Sequence, residues 1–188
     1  MVDNKSIVDF DETKIIHENL FSIPIVQYQT TNTEEMNKEL KEIILKKEKE
    51  TPTTTKSNQG GWQSEGDFFR WGGQSIEKLH NLFLQLIESS TKKLEFVETI
   101  PMDFHIYGWA NVNRKGHSNI AHIHPMSTWS GTYYVDAGDE LDDNKCGLFE
   151  AFNPNLSHLT SFFPGMLPGE HHIKPKTGLM NLFPSYVR

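Results

Sequence analysis

Residues 116–136 read Gly-His-Ser-Asn-Ile-Ala-His-Ile-His-Pro-Met-Ser-Thr-Trp-Ser-Gly-Thr-Tyr-Tyr-Val-Asp, and the His-x-His within them constrains the fold most. In an extended strand, residues i and i+2 project from one face with Cα atoms roughly 6.5 Å apart. His122 and His124 can therefore lean toward one point, as a pair of metal–nitrogen bonds of about 2.0–2.1 Å would require. A further residue from elsewhere would complete a three-ligand face with open positions. Two solvated or hydrogen-bonded histidines satisfy the same spacing. Pro125 removes a ladder donor directly after the pair, which places it where a strand ends and opens into a loop.

A chain of 188 residues can bury a core within a single domain. Lys and Arg number 18 against 25 Asp and Glu, so no basic footprint argues for nucleic acid, and a small-molecule or protein substrate is expected instead. Cys146 is the single cysteine; it cannot form an internal disulfide, which suits a reducing compartment. The sequence has no run of roughly 20 apolar residues and no signal-peptide core at its polar start, so a membrane location is not expected and the cytoplasm is. The oligomeric state is open.

Residues 20–28 are apolar and β-branched, and Pro24 marks them as an edge strand or a broken one. Asn32 and Glu35 have the spacing of a capping box ahead of Met36, Leu40, Ile43 and Ile44, which predicts a helix over 33–49 with a Glu- and Lys-rich outer face. Residues 51–73 are rich in Thr, Gly, Asn and Gln yet carry Trp62, Phe68, Phe69 and Trp71, aromatics that either cover the core or border a pocket. Ser75 is expected to cap a second helix, running to about 92, with Ile76, Leu79, Phe83, Leu86 and Ser90 on one face.

From 102 to 113 the pattern alternates. Phe104, Ile106, Gly108, Ala110 and Val112 fall on one side, and Asp103, His105, Tyr107, Trp109, Asn111 and Asn113 on the other, as in a strand with a small apolar face and a polar, aromatic one. Residues 114–119 read as a loop containing His117. Residues 129–135 read as a strand. The acidic stretch 136–145 reads as a solvated hairpin loop, since its carboxylates lack the regular spacing of a calcium loop. Residues 146–152 and 178–183 are predicted strands joined by an irregular, proline-containing connection, 153–177. On a strand His171 and His172 would face opposite sides, and a surface loop is the expected setting for both.

Five pieces in order, covering almost the whole chain, carry a resemblance: Leu20-Phe21; Ser57-Asn58-Gln59-Gly60-Gly61-Trp62-Gln63-Ser64; Trp109-Ala110-Asn111-Val112-Asn113; His122-Ile123-His124-Pro125 with Ser130-Gly131-Thr132-Tyr133-Tyr134-Val135; and Lys174-Pro175-Lys176-Thr177-Gly178 with Leu182-Phe183-Pro184-Ser185. The chain resembles the 2-oxoglutarate and Fe(II)-dependent oxygenases of bacteria and their phages, within the prolyl-hydroxylase-like superfamily. The resemblance implies a mainly β fold with flanking helices, a double-stranded β-helix (jelly-roll) with iron held between two antiparallel sheets. It implies Fe(II) as cofactor, bound by His122 and His124, and 2-oxoglutarate as cosubstrate. Tyr134, by similarity to the Tyr-Tyr-Leu of prolyl hydroxylases, and Asn111, one strand earlier, are the implied cosubstrate contacts.

Two departures accompany it. The wider superfamily has Asp or Glu where this chain has His124, which changes the charge on the iron. The family also continues past Phe-Pro-Ser to a distal histidine and an Arg that grips the cosubstrate carboxylate, so the 188 residues are expected to be a fragment, or a member without its third ligand, with the edge of strand 178–183 exposed. The implied activity is hydroxylation of a C–H bond of an unidentified substrate, with O₂ consumed and succinate and CO₂ released. A cupin-like metalloprotein that does not use 2-oxoglutarate, and a jelly-roll binding protein without catalysis, are the competing expectations.

Overall fold

The computed structural model describes residues 13, 16, 22–94, 103–138, 147–155 and 169–188. Leu20, Phe21, most of the acidic stretch and Cys146 lie outside them. Helix α1, Glu34–Glu50, buries Met36, Leu40 and Ile44 at four-residue spacing, the stripe of an amphipathic helix. Helix α2, Gln74–Thr91, buries Ile76, Leu79 and Ile87. With Trp62, Phe68 and Ala110 the two helices enclose the larger core. Neither helix is capped as the sequence suggested. Thr33 and Gly73 are the N-cap residues and neither makes a side-chain capping bond. Asn32 instead takes a positive φ of 58°, and Ser75 lies inside α2 with its hydroxyl bonded to Glu39 at 2.5 Å.

The principal sheet is antiparallel, in the order β1 (Val26–Gln29), β9 (Leu179–Pro184), β6 (Trp129–Tyr133). β1 lies at its edge, as Pro24 suggested, and every residue of central β9 is buried. The expectation of an exposed edge at 178–183 is therefore corrected: β1 and β6 pair β9 on both sides.

One face of this sheet meets the helices. Trp129 Nε1 donates to Thr91 Oγ1 at 3.0 Å, and the Tyr133 hydroxyl donates to Asn37 Oδ1 at 2.6 Å. A Cβ on Gly131 would lie 2.8 Å from the Asn181 carbonyl and 3.1 Å from the Phe83 ring, so only glycine lets α2 approach this closely. The other face packs against the hairpin of β7 (Phe149–Phe152) and β8 (Glu170–Ile173). There Phe183 and Phe149 stand with ring centroids 5.0 Å apart, among Ala151, Val187 and Ile25.

β8 occupies part of the connection expected to be irregular, so His171 and His172 lie on a strand, both exposed. They pair with Ala151 and Glu150 of β7.

Three short elements complete the described fold. β2 (Asn58–Gln59) pairs β5 (Ser118–Asn119), β3 (Trp62–Gln63) pairs β4 (Asn111–Val112), and a 3₁₀ turn spans Phe68–Arg70. Of the long strand expected over 102–113, only Asn111–Val112 joins a ladder, although burial still alternates along it. Trp62 and Phe68 are core residues, and Trp71 packs against them with its Nε1 bonded to Asp67. Among the described residues no helix is long and apolar enough to cross a membrane.

Two ion pairs tie α1 to the strand side. Arg114 forks onto Glu48, with nitrogen–oxygen distances of 2.5 and 2.8 Å, and Lys41 reaches Asp136 at 2.6 Å. The Arg114 hydrogen bond holds the Glu48 carboxyl below its ordinary value, and Lys41, then the Gly138 amide, do the same for Asp136. Carboxylates lowered in the folded state add stability that is present above their unfolded-state values and is lost as pH falls through the folded ones. We expect the urea midpoint to fall through the acidic carboxylate range, and to fall less in Glu48→Gln. Leu40, fully buried, should cost about 2–5 kcal/mol of unfolding free energy when replaced by Ala; a loss below 1 kcal/mol in the same titration would remove it from the core.

Candidate functional site

His122 and His124 lie on an extended segment between β5 and β6 that belongs to no ladder. Backbone bonds fix its two ends: Ile120 N–H donates to Ser57 O and His124 N–H to Ser185 O, each at 2.9 Å. The first anchor depends on the turn at 57–64. There Asn58 accepts from the Lys56 amide and donates to Thr53, while the Ser64 hydroxyl accepts from the Ala110 amide at 3.0 Å. Ser57, Asn58, Gln63 and Ser64 are all buried. The Ser57–Ser64 motif is thus the brace that holds both chain segments bordering the histidines.

The two rings converge, with centroids 4.7 Å apart in an edge-to-face arrangement. His122 Nδ1 lies 2.8 Å from the Ile120 carbonyl. A carbonyl only accepts, so Nδ1 carries a proton, which in the neutral tautomer leaves the lone pair on Nε2, as second-shell bonds fix metal-binding imidazoles. Burial, then the neighbouring His122, pushes the His124 pKa down, which keeps that ring neutral and able to donate its lone pair at neutral pH. His117 is engaged elsewhere: its Nδ1 accepts the Arg114 amide at 3.1 Å and its ring packs onto Gly60, where a Cβ would collide with the ring.

The other two sequence-derived residues are placed differently. Tyr134 lies just beyond β6, at the far end of the sheet, where its amide donates to Leu179 O. Burial pushes its phenol up, partly offset by hydrogen bonds from Thr132 and Asn181. Asn181, fully buried, donates to Thr132 Oγ1 at 3.3 Å and accepts from Gln27 at 3.5 Å. Ser130 and Ser185 share a 3.0 Å bond further along the same face. On the hairpin side Tyr134, Thr132 and Ser130 thus form a polar row along β6 and its continuation, beside Asn181 and Ser185 of β9, with Phe183 between those two. Asn181 and Ser185 stand four strand steps, about 13 Å, apart. Asn111 is exposed on β4, two residues beyond Trp109 on the same side.

Sequence reasoning missed Trp109 as a neighbour of the pair. Its ring lies 5.5 Å from that of His124 and 6.2 Å from that of Tyr107, whose hydroxyl meets Ser127 Oγ at 3.1 Å. The alternation over 102–113 already put Tyr107 and Trp109 on one face, and that was the available signal. Among the described residues no three His, Cys, Asp or Glu side chains form a metal-holding group; the pair supplies two donors.

Residues 107–188 match the family model described as "Putative 2OG-Fe(II) oxygenase". The match supports kinship with that family over a span holding both histidines, Tyr134 and β6 to β9. No curated protein matches the chain.

If the two histidines act as a unit, His122→Ala and His124→Ala should each weaken Co(II) or Fe(II) binding at least tenfold by anaerobic calorimetry, and His117→Ala less than threefold. Equal losses in all three would dissolve the pair as a site.

Proposed function

We propose that the chain carries an Fe(II)- and 2-oxoglutarate-dependent dioxygenase centre that hydroxylates a C–H bond of a small-molecule or protein substrate. The observation that carries this reading is the convergence of His122 and His124 with the Nε2 of His122 left free by its bond to Ile120. Neutral imidazole nitrogens suit Fe(II), and they would supply two of its ligands. Bound iron and 2-oxoglutarate together supply O₂ activation, with succinate and CO₂ as by-products. A jelly-roll accords with a sheet covered by helices on one face and by the β7–β8 hairpin on the other, and a cytoplasmic location with a lone cysteine.

The chain's own residues then divide the work. His122 and His124 hold the metal, oriented by the Ile120 carbonyl and the Ser185 backbone. Tyr134, a hydroxyl donor at neutral pH as any phenol is, and the Asn181 carboxamide offer hydrogen bonds to a carboxylate in a site shielded by both layers. A cavity of about 480 Å³, lined by Gln27, Gln29, His171, Lys174 and Lys176, opens toward the Leu179 end of the same face, where Gln27 meets Asn181.

The test is succinate release from 2-oxoglutarate with Fe(II) under air. His122→Ala and His124→Ala should abolish it. Tyr134→Phe should raise the KM for 2-oxoglutarate about ten- to hundredfold, the loss of one hydrogen bond to a charged group, while metal binding is unchanged. Iron binding without succinate would favour the cupin-like alternative. With two protein donors among the described residues, these 188 residues should bind Fe(II) weakly, with a dissociation constant that falls when 2-oxoglutarate is added.

A further inference from the structure

The segments that frame the histidines carry no charge. Residues 104–113 and 116–135 contain no Asp, Glu, Lys or Arg, in a chain where those side chains make up 23% and the net charge is −7. The surface there is apolar as well. Seven large hydrophobic residues are exposed among the described ones, and five of them, Tyr107, Ile120, Ile123, Met126 and Tyr186, lie on these segments or next to Ser185, the anchor of His124. Single exposed apolar residues need no explanation, whereas such a cluster marks a binding surface.

The rings are also ordered. Tyr107, Trp109, His124 and His122 form a row with successive centroids 6.2, 5.5 and 4.7 Å apart, and the first two steps are tilted by 33° and 40°. Tyr107 is 52% exposed at one end of the row, and the metal-binding nitrogens stand at the other. Such a row offers flat aromatic faces to a ligand that would lie within reach of the histidine pair.

We propose that Tyr107 and Trp109 form the platform on which the substrate lies, and that the substrate presents an uncharged, ring-bearing group to it. This deepens the oxygenase reading and rests on it for the word substrate. With no charged side chain on the framing segments to pair a carboxylate, phosphate or ammonium group, a charged substituent on the ring would lose its hydration without compensation. Stacking on the two rings supplies the affinity. Trp109, touching both His124 and Tyr107, sets the distance of the ring from the pair.

Indole serves as the probe, added to the 188-residue protein without metal and followed by NMR through the indole N–H of Trp109 and the imidazole signals of His124. We expect saturable shifts at both residues, and binding of indole-3-acetate at least fivefold weaker than that of indole. Tyr107→Ala and Trp109→Ala should each weaken indole at least fivefold, and Trp109→Phe less than threefold. Tyr107 is exposed enough that its replacement tests the platform even if Trp109→Ala fails to fold. N-acetyltryptophanamide tells a ring on a peptide, if it binds more tightly than indole, from a free ring compound; either result keeps the proposal. Unchanged indole affinity in Tyr107→Ala, or equal affinity for indole and indole-3-acetate, overturns it. Succinate release without indole binding removes the platform and leaves the oxygenase. Indole binding at these residues with no succinate at any iron and 2-oxoglutarate concentration leaves a ring-binding surface and removes the oxygenase.

Discussion

Burial of β9 on both faces is the constraint on which the rest of the structure depends. Met180 and Leu182 turn toward the helices, and Asn181 and Phe183 toward the β7–β8 hairpin. A strand in that position must satisfy its backbone through both neighbours and its side chains through both layers. It does so with one polar residue. Asn181 is fully buried, and Gln27, Thr132 and Tyr134, all from the flanking strands, complete its hydrogen bonds. The same network that makes Asn181 tolerable in the interior lays a polar track between the layers, so the cosubstrate reading and the stability of the sheet share residues.

The histidines depend on this strand and on the Ser57–Ser64 turn. Their segment hangs from the backbone of Ser185 at one end and from Ser57 at the other. Its own side chains pack outward, which is why the apolar residues beside the pair remain exposed. A centre of this kind is held in place by hydrogen bonds and backbone register. Glu48 and Arg114, and Lys41 and Asp136, brace the helix layer against the strands at its margins.

What was legible in the sequence follows the strength of each local signal. The two helices and strands β1, β6, β7 and β9 have apolar periodicity or β-branched runs that tertiary packing reinforces, and they appear within a few residues of the expected places. The caps failed because α1 and α2 are held by packing along their apolar stripes, so Asn32 could take a positive φ and Ser75 could bond Glu39 instead. β8 was hidden because Glu-His-His-Ile has no apolar alternation; its pairing with β7 leaves three of its four residues exposed. The long strand over 102–113 keeps its alternation without its ladder, since a half-buried extended segment needs only one apolar face. The His-x-His spacing identified the pair, but the aromatic nearest to it is Trp109, whose approach to His124 is a long-range contact no local pattern encodes. Trp62, with the same chemistry, went into the core.

The bond from the His124 amide to the Ser185 carbonyl involves no side chain. Any residue able to end β9 in the same conformation could hold the histidine equally well, so substitution at that anchor leaves the pair where it is. A shift of register is another matter. Sliding β9 by one residue against β6 would carry the anchor about 3.3 Å and turn its inner face outward, separating His124 from His122 and breaking the polar track at once. The geometry of the centre is thus insensitive to most point changes at its support and acutely sensitive to insertions or deletions between β6 and β9.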